Sequence, residues 1–409
     1  MSETNKSKPT EEATLFSGDY CLSCTSCMAE CPVMKATMDY RGPKLVGPSH
    51  GRMHFSQEDT EKSLEFCSNC KSCDRICPSG VSVSTLNMLQ RAKYYKTHPH
   101  PRRDEILAHS EKMAKLVRSL PLGQFCANMG MKIGSTFGVF KAMGIAEERN
   151  MPAYAPQSFL SIFKKIKQTP YEKKIVFYPG CFINDNNPQV GVAFVKVMQQ
   201  NKYEVLIDKE FNCCGSPMVV TGYLDEAREH AENNVKRILH WKARGIPVLA
   251  CCTSCSSMLK QEYWELFNEP SMREAATNVY DAFEFLAELA EKGELNKNYG
   301  HIAKKLLYHV PCHLKSQGMG TPAADILSEI DGVDLKFADS GCCGMAGNYG
   351  FKQDKYDISM KIGAKLFEKI KTVKADDVIC DCGTCRLQIT HGAKVKACHP
   401  IEILAKAYN

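Results

Sequence analysis

Cys21-Leu-Ser-Cys24-Thr-Ser-Cys27-Met-Ala-Glu-Cys31-Pro32 is the stretch on which the reading of this chain turns, and it returns as Cys67-Ser-Asn-Cys70-Lys-Ser-Cys73-Asp-Arg-Ile-Cys77-Pro78. Cysteines at i, i+3 and i+6 with a trailing Cys-Pro form the run that wraps a 4Fe–4S cubane, the fourth thiolate serving the other cluster of a pair. The spacing therefore assigns Cys21, Cys24, Cys27 and Cys77 to one cubane, and Cys67, Cys70, Cys73 and Cys31 to the other. Zinc also uses Cys-x-x-Cys pairs, but a zinc site closes with four ligands and has no use for the trailing Cys-Pro. The 35 residues between Cys31 and Cys67 exceed the needs of a compact β-rich module, and strand signals are few. A helical two-cluster domain is expected over residues 15–96, ending in a helix at Val83–Lys96.

From residue 174 the chain repeats with a period near 130. Lys174-Ile-Val-Phe-Tyr-Pro-Gly-Cys181 corresponds to Lys305-Leu-Leu-Tyr-His-Val-Pro-Cys312. Asn212-Cys-Cys-Gly215 corresponds to Gly341-Cys-Cys-Gly344, and Cys252-Thr-Ser-Cys255 to Cys382-Gly-Thr-Cys385. The tails Ala282–Ala287 and Pro400–Ala405 also match. Each half alternates strand-like and helix-like segments, which predicts two tandem α/β units over 174–295 and 304–409, packed about a pseudo-twofold axis. Strands are expected at Ile175–Tyr178, Val205–Ile207 and Pro247–Ala250, then at Leu306–Val310, Leu335–Ala338 and Val378–Cys380. Long helices are expected at Asp225–Lys242 and Asp354–Lys371.

Each half thus offers five cysteines: Cys181, Cys213, Cys214, Cys252 and Cys255, then Cys312, Cys342, Cys343, Cys382 and Cys385. They fall where strands end and loops begin, the usual place for sites in open α/β sheets. Five thiolates exceed what zinc needs and point to an iron–sulfur cluster. Gly215 and Gly344 are expected to allow the tight backbone that presents adjacent sulfurs. Of the remaining thiols, Cys126 is read as a small buried apolar residue, while Cys251, Cys380 and Cys398 lie beside the ligand sets. His309, His313 and His399 are also close to these motifs. They either hydrogen-bond sulfide and handle protons, or are satisfied structural side chains.

Residues 97–173 carry no cluster motif. Arg102–Leu120 reads as one amphipathic helix with Ile106, Leu107, Met113, Leu116 and Val117 on its apolar face. Pro121–Ala146 is apolar, with only Lys132 and Lys141 charged until Ala146, and Phe159–Lys167 is short, amphipathic and basic. Two readings stand: core-facing helices with a solvated lysine face, or a peripheral contact with an anionic membrane.

The whole chain of 409 residues has ordinary globular composition, 44% hydrophobic and 24% charged. A net charge of +6 without interleaved basic and aromatic residues does not argue for nucleic acid. The polar start, Met1 to Thr14, is no secretory signal, and ligand-spaced cysteines without one imply a reducing cytoplasm. No apolar stretch reaches about 20 residues, so no membrane span is expected. No Gly-x-Gly-x-x-Gly opens a helix after a strand, so no flavin or other dinucleotide site is expected on this chain.

Two ferredoxin-type runs followed by two cysteine-rich CCG units resemble the iron–sulfur subunits of heterodisulfide reductase, glycolate oxidase and related flavin dehydrogenases. Arg41-Gly-Pro-Lys-Leu-Val-Gly-Pro48, Gly180-Cys-Phe-Ile-Asn184 with Asn187-Pro-Gln-Val-Gly191, and Cys342-Cys-Gly-Met-Ala-Gly-Asn-Tyr-Gly-Phe-Lys352 are similar to the C-type iron–sulfur subunits of the anaerobic glycerol-3-phosphate dehydrogenase family. The resemblance covers residues 17 to 409. It implies an electron-transfer component, peripheral on the inner face of the cell membrane, that receives electrons from flavin-containing subunits of A and B type and passes them to menaquinone. It further implies one or two noncubane 4Fe–4S clusters in the CCG units, on the two five-cysteine sets. The alternative is a CCG-type catalytic component of a heterodisulfide reductase-like complex, which reduces a disulfide at a CCG cluster, or of a glycolate or lactate oxidase-like complex; a zinc-loaded scaffold is the non-enzymatic reading.

Overall fold

The computed structural model describes residues 20–53 and 63–408; the polar start Met1 to Thr14 lies outside them. Among the described residues every strand follows position 173. Among the described residues before 97 the regular elements are helices: short ones at Ser26–Glu30, Pro43–Val46, Pro48–Met53 and Ser72–Arg75 and a longer one at Val83–Tyr95.

The two repeats each build a four-stranded parallel sheet. β1 (Lys174–Tyr178), β2 (Glu204–Leu206), β3 (Val248–Ala250) and β4 (Val279–Asp281) stand in the order β2-β1-β3-β4. β5 (Lys304–Tyr308), β6 (Val333–Phe337), β7 (Asp377–Ile379) and β8 (Ala397–Cys398) take the same order, β6-β5-β7-β8. β1 and β5 pair on both sides, and their apolar runs are buried, as a central parallel strand requires. Three strands per half were legible in the sequence. β4 and β8, three and two residues long, are not among the expected strands.

Both matching tails form capped helices, Ala282–Glu291 and Pro400–Ala407. Asp281 and Glu284 make a reciprocal capping box in the first, His399 and Glu402 in the second. The halves then interlock. Pro188–Gln200 of the first packs on Pro400–Ala407 of the second, and Ala282–Glu291 packs on Pro322–Ser328. One apolar core therefore runs through both, including Phe177, Phe194, Leu286, Tyr308, Ile401 and Leu404.

The connector departs from expectation in two places, and at Phe159 it follows the core-facing of the two readings. The helix expected over Arg102–Leu120 is two helices, Arg102–Ala108 and Ser110–Ser119. They bend at His109, whose ring bonds the Glu105 carbonyl (2.7 Å) and the Glu226 carboxylate (2.9 Å) instead of leaving a straight run. Of its expected apolar face, Leu107 and Val117 are buried, whereas Met113 and Leu116 are exposed. Phe159 is fully buried against Phe163 and Phe177, so its helix (Phe159–Phe163) is a core element of the first half. Cys126 is exposed on the helix Gly123–Thr136, not buried, because that helix turns much of its apolar surface outward. Leu122, Phe125, Met129, Ile133 and Phe137 are all exposed there.

Candidate functional site

The two cysteine runs share one backbone. Ser23 and Thr25 in the first, and Asn69 and Lys71 at the same positions in the second, all have φ between +50° and +67°. For such residues the left-handed conformation costs about 1–2 kcal/mol each. Alternating left- and right-handed residues turn successive N–H groups inward, making the concavity that anionic sulfur clusters occupy. Immediately afterwards Ser26–Glu30 and Ser72–Arg75 begin, and these two helices pack on each other.

Thiols of the two runs lie beside one another. Burial pushes Cys27 up to about 11, and the charges it feels are those of Cys21, Cys24 and Cys77. Cys31 is pushed up to about 12 by burial, with Cys70 and Cys67 beside it. Burial and Asp74 raise Cys73, whose thiol neighbours are Cys70, Cys67 and Cys31.

Between the second run and the first CCG unit lies an ionic junction that sequence reasoning did not single out. The Lys71 ammonium is buried and donates to Glu265 at 2.8 Å, with Asp74 at 3.6 Å and Glu262 at 4.0 Å. Burial works against its charge, yet Glu262, Glu265 and Asp74 together raise it above the ordinary lysine value. Asn69 donates to Glu262 and Thr85 to Glu265. Glu262 ends a π-helical turn, Met258–Glu262, a rare geometry common near functional sites.

In the first CCG unit, Cys181 follows β1, Cys213 and Cys214 follow β2, and Cys252 follows β3. The Cys181 and Cys213 sulfurs are 4.0 Å apart. Cys213 and Cys255 bond the Cys214 thiol and pull it down to about 6 despite its burial, and Cys252 in turn bonds Cys255. Gly215 (φ +79°) turns the chain straight after the pair. The backbone of the pair is clamped: Glu111 accepts the Cys213 N–H at 2.8 Å, Asn234 donates to the Cys213 carbonyl, and Tyr263 donates to that of Cys214.

The second set repeats the pattern. Cys343 and Cys385 sulfurs are 3.1 Å apart. Cys312 and Cys343 hold the Cys342 thiol well below its ordinary value, and Cys385 does the same to Cys382. The Gly344 N–H points at the Cys342 sulfur (3.3 Å) and the Met345 N–H at that of Cys343 (3.5 Å). Gly344 has φ +89°, as the tight turn needs. Clustered thiols, with backbone N–H groups aimed at sulfur in the second set, fit soft iron–sulfur centres.

The sets adjoin one another. Cys70 of the second run shares a cleft of about 610 Å³ with Cys312 and Cys342. The helices Thr253–Ser257 and Cys312–Ser316 pack together, and the Ser254 hydroxyl lies 3.9 Å from the Cys382 sulfur.

The histidines divide. His399 is structural: Nε2 donates to the Cys251 carbonyl (2.7 Å) and Nδ1 accepts the Ile401 N–H (3.1 Å). His313 bridges Ser254 and the Asn69 carbonyl. His309 differs, since its buried Nε2 has no hydrogen-bond partner, the ring lies against Cys343 and Cys385, and burial pushes it down to about 4. Cys251 and Cys380 are fully buried, and burial raises both, as it raises Cys398 to about 12.

A 4Fe–4S dicluster domain model matches residues 17–81, and a cysteine-rich domain model matches 175–260 and again 306–390. Over 392 residues the chain is 33% identical to the C subunit of anaerobic glycerol-3-phosphate dehydrogenase from Escherichia coli K12, covering 95% of this chain and 98% of that one. It is 26% identical over 405 residues to the B subunit of fumarate reductase (CoM/CoB) from Methanothermobacter marburgensis, covering 95% and 72%. Against the glycolate oxidase iron–sulfur subunit of Escherichia coli K12 it is 22% identical over 404 residues, covering 95% and 93%.

Proposed function

Because the chain belongs to the family of C-type subunits of anaerobic glycerol-3-phosphate dehydrogenase, we propose that it is the electron-transfer component of a flavin dehydrogenase complex. Partner subunits of A and B type carry the flavin and oxidise the substrate, and menaquinone on the inner face of the cell membrane takes up the electrons. The observation that carries this reading is the contiguity of the four thiol sets: the second run meets the second CCG set in one cleft, and the CCG sets meet at Ser254 and Cys382.

The units 15–96, 97–173, 174–295 and 304–409 are then a two-cluster module, a connector and two CCG units, and the crossed packing of their helices supports a pseudo-twofold relation between the latter. Cys21, Cys24, Cys27 and Cys77 hold one cubane, and Cys67, Cys70, Cys73 and Cys31 the other. Cys181, Cys213, Cys214, Cys252 and Cys255, and Cys312, Cys342, Cys343, Cys382 and Cys385, hold noncubane clusters. Bound there, such clusters supply one-electron storage. The chain's own part is to bury the thiols, aim backbone N–H groups at sulfur and exclude water, the levers that set cluster potentials.

Cys343→Ala in the assembled complex should leave dye-linked dehydrogenase activity largely intact and abolish menaquinone reduction; equal loss of both would refute the assignment. Cys73→Ala should remove about four of about eight iron atoms from the amino-terminal module, read by iron analysis and EPR. A second reading, disulfide reduction at the second CCG set, is favoured by the unpartnered His309 Nε2 beside Cys343 and Cys385. Rapid reduction of a heterodisulfide by the isolated chain would select it.

A further inference from the structure

Beside the first CCG set lies a cleft of about 490 Å³. Its walls come from both CCG units and from the connector: Met113, Val117, Met131, Phe140, Met143 and Leu387 give it an apolar body. One end is different. There Cys181, the first thiol of the set, meets the Ser110 hydroxyl at 3.9 Å, and the Tyr154 side chain joins the lining. Asp185 stands at this end too, but Arg118 engages its carboxylate at 3.2 Å, so the polar end is not a free anion. A long apolar body with a small, nearly neutral polar end suits an amphiphile with a carbonyl-bearing head, and suits neither a charged metabolite nor a peptide.

The outer wall says how such a molecule arrives. Ala127, Gly130 and Met131 of the helix Gly123–Thr136 face the cleft, while Phe125, Met129 and Ile133 of the same helix are exposed. Phe137 is 77% exposed just beyond it. A helix apolar on both faces is matched to an interface with lipid on its far side.

Resting on the electron-transfer reading above, we infer that this cleft is the binding site for a membrane quinone, its ring beside Cys181 and Tyr154 and its isoprenoid tail running along Met131 and Phe140 toward the exposed helix. The first CCG unit, not the second, is then the one that faces the acceptor.

Gly130 offers a clean test, because it lines the cleft and a Cβ built there meets nothing within 4 Å. 2,3-Dimethyl-1,4-naphthoquinone is titrated by equilibrium dialysis into the full chain, purified anaerobically with its clusters. Saturable binding to the natural protein is expected, weakened at least tenfold in Gly130→Trp and in Met143→Lys, with iron content and thermal midpoint unchanged. Should Gly130→Trp lose iron or stability, Met143→Lys decides. No binding, or binding untouched by the substitutions, overturns the inference. Laurate binding as tightly as the naphthoquinone also overturns it, making the cleft an acyl-chain seat. Dithionite reduction of the same samples, followed by EPR, separates the two levels: a chain with reducible clusters and no quinone in this cleft refutes only the site, whereas absence of reducible clusters refutes the electron-transfer reading itself.

Discussion

Gly215 and Gly344 occupy the same place in the repeat, yet alanine should cost very different amounts at the two. Both glycines are left-handed, with φ +79° and +89°, so an alanine at either pays the intrinsic penalty of about 1–2 kcal/mol. At Gly215 that is nearly the whole cost, because the nearest atom to the new methyl is the Ala227 Cα at 3.5 Å, an ordinary contact. At Gly344 the methyl would stand 2.2 Å from the Ser359 carbonyl oxygen and 3.2 Å from the Ile362 Cβ. Both atoms belong to the helix Tyr356–Val373, which must shift by close to an ångström, and overpacking of that kind adds about 1–3 kcal/mol. The sum is about 2–5 kcal/mol for Gly344→Ala against about 1–2 for Gly215→Ala. Anaerobic chemical denaturation of both variants, with iron per chain measured alongside, should show the larger loss of stability and the selective loss of second-set iron in Gly344→Ala. Equal losses would refute the claim that the backbone of that helix, and not the turn alone, demands the glycine.

Asp281 supplies a pH signature: burial and the nearby Asp381 push its carboxyl up to about 7. The folded state therefore holds a proton that the unfolded chain has released above pH about 4, and stability falls as pH rises from there to about 7. Asp281→Asn keeps an acceptor for the Phe283 N–H and should gain roughly 3 kcal/mol on the natural protein between pH 5 and pH 8; parallel denaturation curves at both pH values would contradict this. Lys71→Met strands Glu262 and Glu265 in a buried junction, and should cost about 3–5 kcal/mol, with the loss partly relieved by adding Glu265→Gln; a double-mutant cycle measures it. Replacing Phe125, Ile133 and Phe137 together by Ser should abolish co-sedimentation with anionic liposomes while leaving the thermal midpoint in place. Phe159→Ser, in contrast, should destabilise the protein by about 3–5 kcal/mol, because that ring is core.

Cysteine spacing by itself determined that the amino-terminal module carries paired iron–sulfur motifs, and it is the basis of the proposed ligand sets, because three residues per step and a trailing Cys-Pro describe a local wrapping that few other chemistries require. The internal repeat likewise carried the two α/β units, their central strands and their five-cysteine sets, since each unit must satisfy the same parallel-sheet packing and therefore repeats the same apolar runs. Tertiary structure alone decided the rest. Lys71 reads as a surface lysine until Glu262 and Glu265, almost two hundred residues away, close over it. Phe159 and Phe125 look alike in sequence, yet one fills the core under β1 and the other faces outward, because a side chain's burial depends on what the fold brings opposite it. The same holds for the cleft at Cys181. Its walls come from the connector and both CCG units, and no local pattern could have announced a pocket assembled from segments that far apart.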